Sequence, residues 1–318
     1  MRLAVGLRWY WAFHLGGNEG LIWLDRAVAV AEVAPHALRA AVLIAAGWVR
    51  WLTGDHRRAE ALGTHGRALF REVGDAVGES EALYLLGLVA QTKEDYPEAR
   101  AQFEEALLRL WPLDEPVRTA WTLRQVGWSA YFCGEHAAGE HYLEEAMALA
   151  QREGADHTVA YVLSSLGDIA LQQGQYARAA ILWQERLNLT WDVSSLPRSV
   201  EMLGRIAGAL GEAERAARLL GAAEALRERL GTILPPGQLP THERTVATIR
   251  SALDTDAFAS AWAEGRRMTR DEAREEAAKV AHGAQDPPRV RAMTGAARTA
   301  ARSAPVAPRP VTTRAGSR

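Results

Sequence analysis

The sequence predicts an all-α protein: a right-handed α-solenoid of about six helical hairpins, closed by a short C-terminal helical cap and followed by a disordered tail. Three observations predict it. Glycines recur at Gly47, Gly87, Gly127 and Gly167, each 40 residues after the last, and at Gly204 after 37 more. Small residues (Ala59, Ala99, Gly139, Ala179 and Ala216) stand twelve positions beyond those glycines. Within each unit apolar residues return at three- and four-residue spacing, the pattern of paired amphipathic helices.

Met1 to Leu15 is apolar but interrupted by Arg8 and His14, and no small-residue cleavage site follows. It reads as a helix of the fold and not as a signal peptide. No apolar run approaches the roughly 18–20 residues of a membrane span, so no membrane contact is expected. A weaker first unit has Gly20, Leu24 and Ala27 in the small, bulky and small columns, with Arg8 in place of the glycine. Five full units follow. An apolar residue precedes each glycine, and a helix-ending glycine stands seven residues after it at Gly54, Gly134, Gly174 and Gly211, with Glu94 the exception. The glycine and the small residue are expected where the two helices of a hairpin cross, since only small side chains let backbones approach. A third small column, Gly66, Ala106, Ala146 and Ala223, is expected to pack onto the next unit, and Arg186 breaks it. This pattern is that of the tetratricopeptide repeat, usually about 34 residues long. The 40-residue spacing implies longer helices or longer connections, with Gly74 to Gly78 one such connection. After the last unit, a helix over Ala213–Leu230 ends at Gly231, and Leu234-Pro-Pro-Gly makes a loop. Short helices are predicted over 241–253, 255–265 and 270–282, the third opened by a capping box of Thr269 and Glu272. The expected organisation is a repeat array over 1–231, a helical cap over 232–283 and a disordered tail over 284–318. The tail holds seven arginines against Asp286, a balance of +6, which leaves −8 on the rest of a chain whose formal charge is −2.

Hydrophobic residues make up 48% and charged residues 24%, a globular composition, and a charge of −2 sets up no whole-chain field for nucleic acid. Nucleic acid is not expected as a partner of this chain alone. The single cysteine, Cys133, excludes a disulfide framework and fits a reducing cytoplasm. Lys93 and Lys279 are the only lysines, and neither sits in the Gly-Lys-Ser/Thr setting of a phosphate loop. No His-Glu-x-x-His helix exists, and His136 and His141, five apart, face different ways. His56 and His136 share the column of Tyr96 and Tyr176, as packing residues. No Gly-x-Ser-x-Gly elbow is present, and Cys133, although near His136, reads as a small apolar residue inside a hairpin. Acidic pairs such as Glu104-Glu105 and Glu144-Glu145 follow the repeat register, so they read as solvated faces. No catalytic residue, metal or cofactor is expected.

In a solenoid the first helix of each hairpin lines the concave wall, where extended binding sites lie. Counted from each glycine, the positions facing that wall hold Trp48 and Trp51, then Tyr84, then Trp121, Arg124, Trp128 and Tyr131, then Tyr161 and Asp168, and finally Arg205. Aromatics gather in the middle and charges toward the C-terminal end. A stripe of this size predicts a groove for a protein partner, a peptide or a small inducer. Arg124 between Trp121 and Trp128 would suit a carboxylate or a planar group. The alternative is that the rings fill a tight superhelix or meet another domain.

Gly17-Asn-Glu-Gly-Leu-Ile-Trp-Leu-Asp-Arg-Ala, the five repeats, Ala216-Ala-Arg-Leu-Leu-Gly-Ala-Ala-Glu-Ala-Leu-Arg and Phe258-Ala-Ser-Ala-Trp-Ala-Glu-Gly-Arg-Arg-Met-Thr-Arg-Asp-Glu-Ala resemble one protein group. The group is the C-terminal, MalT-like tetratricopeptide region of bacterial signal-transduction ATPases, including LuxR-type and antibiotic-regulator (SARP-type) transcription factors. The resemblance covers roughly residues 1–282. It implies a non-enzymatic sensor or interaction region, without the ATPase and DNA-binding domains of the group. The chain is then a severed piece of such a regulator or an independent adaptor. A free-standing interaction scaffold and an arginine-based nucleic-acid binder remain as other readings.

Overall fold

A computed structural model describes residues 1–7, 18–189, 195–232, 234 and 238–284. Among them there is no β-strand. The helices are α1 (Arg2–Gly6), α2 (Asn18–Val30), α3 (His36–Leu52), α4 (His56–Glu72), α5 (Ala76–Thr92), α6 (Tyr96–Leu110), α7 (Pro116–Phe132) and α8 (His136–Arg152). They continue with α9 (Asp156–Gln172), α10 (Tyr176–Leu189), α11 (Leu196–Ala209), α12 (Ala213–Leu230), α13 (Leu239–Ser251), α14 (Thr255–Arg267) and α15 (Arg270–Ala284). Consecutive helices pack antiparallel as the tetratricopeptide-like hairpins α3/α4, α5/α6, α7/α8, α9/α10 and α11/α12. Arg8, most of the Pro-Pro-Gly loop and the tail from residue 285 lie outside the described residues.

The 40-residue repeat comes from longer helices. Helices α3, α4, α5, α7, α8 and α9 are each 17 residues long. Most joints between them are three residues, such as 53–55 and 133–135. The expected connection from Gly74 to Gly78 is therefore corrected: Gly78 lies inside the first turn of α5, its amide held by Asp75 Oδ1 at 2.9 Å, and the Phe70 ring fills the space of its missing side chain. Each hairpin turn passes through one left-handed residue. Glycine supplies it at Gly54, Gly134, Gly174 and Gly211, but at Glu94 a side-chain-bearing residue is held at φ 59°.

The glycine column sits where helices touch. A Cβ on Gly127 would stand 2.7 Å from the Gly139 carbonyl oxygen, so α7 and α8 cross backbone to backbone. At Gly87 the space belongs to the Phe103 ring and at Gly167 to the Trp183 ring, each 2.6 Å from the would-be Cβ. Phe103, Leu143 and Trp183 occupy one repeat position on the second helices and are fully buried, so a knob of varying size meets a fixed glycine hole. Gly47 instead receives Leu85 of the next hairpin. Gly66 corrects an expectation, since it faces Ile44 and the Ala40 carbonyl of its own hairpin and not the next unit. Arg186 is buried, bonds Ser199 Oγ, and lies 5.2 Å from the Trp183 ring centroid.

The C-terminal helices do not hang from the array. Helix α14 presses onto α12 at two glycines: a Cβ on Gly221 would reach the Trp262 carbonyl oxygen at 2.5 Å, and one on Gly265 would collide with the Arg218 backbone. The last two sequence runs that carry the family resemblance are therefore the two sides of one interface. Helix α15 opens with the expected capping box, Thr269 N to Glu272 Oε2 at 2.7 Å and Glu272 N to Thr269 Oγ1 at 3.3 Å. It returns to α10, α11 and α12, so Trp183, Leu203, Leu220, Phe258 and Val280 share one buried cluster.

Candidate ligand-binding groove

A cavity of about 640 Å³ opens on the wall formed by the first helices of four successive hairpins, α3, α5, α7 and α9. It takes Trp48, Trp51 and Leu52 from the end of α3, and Ser80, Glu81, Tyr84 and Leu88 from α5. Helix α7 contributes Arg118, Trp121, Thr122, Arg124 and Gln125, α9 contributes His157 and Tyr161, and Leu110 closes one corner. One side of the cavity is a Trp48–Tyr84 stack with ring centroids 5.8 Å apart, with Trp51 edge-on to Trp48. The other is a cluster in which Tyr161 stands 4.9 Å from both Trp121 and His157.

Arg124 lies against the second ring cluster, its guanidinium carbon 5.1 Å from the Trp121 centroid and 5.6 Å from that of Tyr161. Its Nη1 donates to Ser165 Oγ at 3.2 Å. Burial raises the pKa of the Tyr84 phenol against the pull of Arg124 and Gln125, so it stays protonated at neutral pH. At the rim, Arg118 approaches Glu81 at 3.9 Å and Glu115 at 3.3 Å.

Six of the residues singled out from the sequence thus come together: Trp48, Trp51, Tyr84, Trp121, Arg124 and Tyr161. Four do not. Trp128 packs on Phe132 at 4.9 Å, so the second ring against Arg124 is Tyr161 and not Trp128. Tyr131 is buried beside His136 at 4.4 Å. Asp168 and Arg205 join a polar cluster between α9 and α11, where Asp168 Oδ2 meets Arg198 at 3.1 Å. Burial raises the Asp168 pKa despite Arg198, Arg205 and Arg186, and burial lowers that of Arg205. Farther along, Glu201 bridges Arg227 of α12 and His242 of α13, the latter at 2.8 Å.

The cavity runs diagonally, from the C-terminal end of α3 to the N-terminal turns of α7 and α9. Each hairpin is rotated on the last, so one repeat position does not stay on the cavity wall. Arg118 and His157, nine and ten residues before their glycines, were missed for that reason, and a register slipping back by about one turn per hairpin would have found them. Glu81 shares the column of Trp121 and Tyr161, six before the glycine, and is its one acidic member on the cavity wall. Among the described residues no group of three or more His, Cys, Asp or Glu is placed to hold a metal ion, and no helix is long and apolar enough to cross a membrane. Burial holds the Cys133 thiol above its usual pKa in spite of Arg100.

No family model matches the chain. A stretch of 78 residues is 35% identical to proteins provisionally named HTH-type transcriptional regulators in Mycobacterium tuberculosis and Mycobacterium bovis; it is 24% of this chain but 9% of theirs. Among solved structures, BtubC (BKLC) of P. vanneervenii is similar with a TM-score of 0.54 at 18% identity, over 69% of this chain and 94% of that one. A Rap protein complexed with competence and sporulation factor is similar at 0.55 and 16% identity, over 82% and 77%. The Rap conjugation gene regulator of plasmid pLS20, in complex with the Phr* peptide, is similar at 0.50 and 15% identity, over 78% and 75%. These likenesses are likenesses of fold, and with the glycine crossings they identify the chain as a tetratricopeptide-like helical solenoid.

Proposed function

We propose that this chain is a non-enzymatic binding module that takes a peptide or small inducer in its aromatic cavity, as the sensor or interaction region of a transcription-regulating signal-transduction ATPase in the cytoplasm. The observation that carries this is the cavity itself: aromatic side chains from four successive hairpins converge on one concave space of ligand size, with a few polar groups among them. The stretch shared with HTH-type regulators supports the regulatory half of the reading. Two solenoids of this fold carry a factor or a peptide in their complexes, and the proposal brings that mode of use to this chain.

A random-peptide array probed with the purified chain tests it. Peptides held by the wild type should be lost by Tyr84→Ala and by Trp121→Ala, each costing about 2 kcal/mol, roughly thirtyfold in Kd, as removal of a buried aromatic anchor does. Helical circular dichroism should be unchanged, and raised salt should weaken binding little, in contrast to a phosphate-contacting mode. Retention of the same peptides by both variants would refute the groove assignment.

A further inference from the structure

The partly buried guanidinium of Arg124 is set apart from its counterparts by what it lacks. Elsewhere in the array most guanidinium groups withdrawn from solvent meet carboxylates, while Arg186, set on Ser199 Oγ and the Trp183 ring, lies away from the cavity. Arg67 binds Glu105 at 2.5 Å, Arg100 binds Glu104 at 2.7 Å, Arg109 binds Glu79 at 3.0 Å, and Arg227 binds Glu201. Arg124 makes no ion pair among the described residues. Its partners are the Ser165 hydroxyl, the Tyr84 phenol and two ring faces, and its Nε is buried without an acceptor. Ring faces attract the cation but leave its fork of N–H donors underused, and a cation withdrawn from water calls for an anion. The carboxylate on the cavity wall, Glu81, is already approached by Arg118.

Resting on the reading that this cavity is a binding site, we infer that its ligand carries a single carboxylate and a flat aromatic body: the carboxylate meets Arg124, and the body lies among Trp48, Tyr84, Trp121 and Tyr161. One cation without a counter-ion matches a monoanion, and the planar fork of arginine matches the two oxygens of a carboxylate. A more highly charged phosphate would need a second cation, and Arg118 is committed to Glu81 and Glu115. The carboxylate has two sources, a free aromatic acid or the C-terminus of a peptide ending in an aromatic residue.

Calorimetric titration of the full chain separates these cases. The probes are indole-3-acetate against indole-3-acetamide, and an acetylated tripeptide ending in phenylalanine with a free against an amidated C-terminus. At least one acid should bind, with its amide about tenfold or more weaker, equivalent to about 1.4 kcal/mol. Arg124→Met should erase that preference, and Arg124→Lys should restore part of it. If Arg124→Met loses the wild-type helical signal, Arg124→Gln carries the same comparison. Preference for only the small acid, or only the peptide acid, identifies the source. Equal binding of acid and amide, a preference that survives loss of the guanidinium, or no binding by any of the four probes would overturn the inference. Equal binding that Trp121→Ala abolishes would do so while leaving the groove reading intact.

Discussion

Adding one methyl group at Gly127 tests the hairpin architecture directly. The new Cβ would stand 2.7 Å from the Gly139 carbonyl oxygen, 3.0 Å from Leu143 Cγ and 3.1 Å from the Leu143 amide nitrogen. Two of these three are main-chain atoms, so no side-chain rotation relieves the overlap and α7 must separate from α8. Ordinary contact begins near 3.4 Å, which asks for a shift of about 0.7 Å, enough to forfeit a quarter to a half of the dispersion energy across the seam. Overpacking costs about 1–3 kcal/mol, and a backbone obstacle puts this case at the upper end. Alanine's better helix propensity returns about 1 kcal/mol, so Gly127→Ala should lose about 2 kcal/mol net. The matched control is Gly208→Ala in α11, whose Cβ would meet only the side chain of Ile249 at 3.3 Å and Ala216 Cβ beyond it. It should stay within about 1 kcal/mol of the wild type. Urea unfolding followed by far-ultraviolet circular dichroism measures both, with midpoint and slope compared together because repeat arrays depart from two-state behaviour. Equal stability of the two variants would refute the claim that α7 and α8 cross at Gly127.

Two further outcomes follow from other positions. Glu94 holds a left-handed turn that glycine occupies in sister repeats, so Glu94→Gly should stabilise the chain by about 1 kcal/mol; a fall in the urea midpoint would show that φ 59° costs nothing there. Burial pushes the Glu201 carboxyl up, but His242 and Arg227 together outweigh it and hold its pKa below the usual value. A depressed folded pKa contributes stability that is complete above the unfolded value of about 4.3 and is lost as pH falls through the folded one. Glu201→Gln should therefore cost about 3 kcal/mol at neutral pH, by stranding buried charge, and flatten the decline in stability below about pH 4.3. Parallel stability–pH curves for variant and wild type would contradict this.

The repeat was legible because Gly47, Gly87, Gly127, Gly167 and Gly204 share one constraint, a neighbouring backbone or side chain packed into the space a Cβ would take, and a constraint on close approach selects a single residue type. The opposing position was not legible, since Phe103, Leu143 and Trp183 solve the same contact with three sizes, and a column of unlike residues has no periodic signal. Glu94 shows the converse: the turn survives a residue that breaks its signature. At the groove, fixed offsets from each glycine found Trp48, Trp51, Tyr84, Trp121, Arg124 and Tyr161. They also pointed to Trp128, Tyr131, Asp168 and Arg205, which pack elsewhere. Offsets within one unit carry no information about the rotation between units, and that rotation decides which turn of each helix borders the cavity. The lone position of Arg124 was equally hidden, because it depends on where every carboxylate comes to rest.

The seating of α14 and α15 against α10 to α12 changes how the molecule should come apart. In an open stack the outermost unit peels away while its neighbour stays whole. Here the final repeats are clasped from two directions, so unravelling from that side must expel several rods in a single step. Fraying is then directed to the opposite extremity, where α2 leaves Ile22 and Trp23 in contact with solvent.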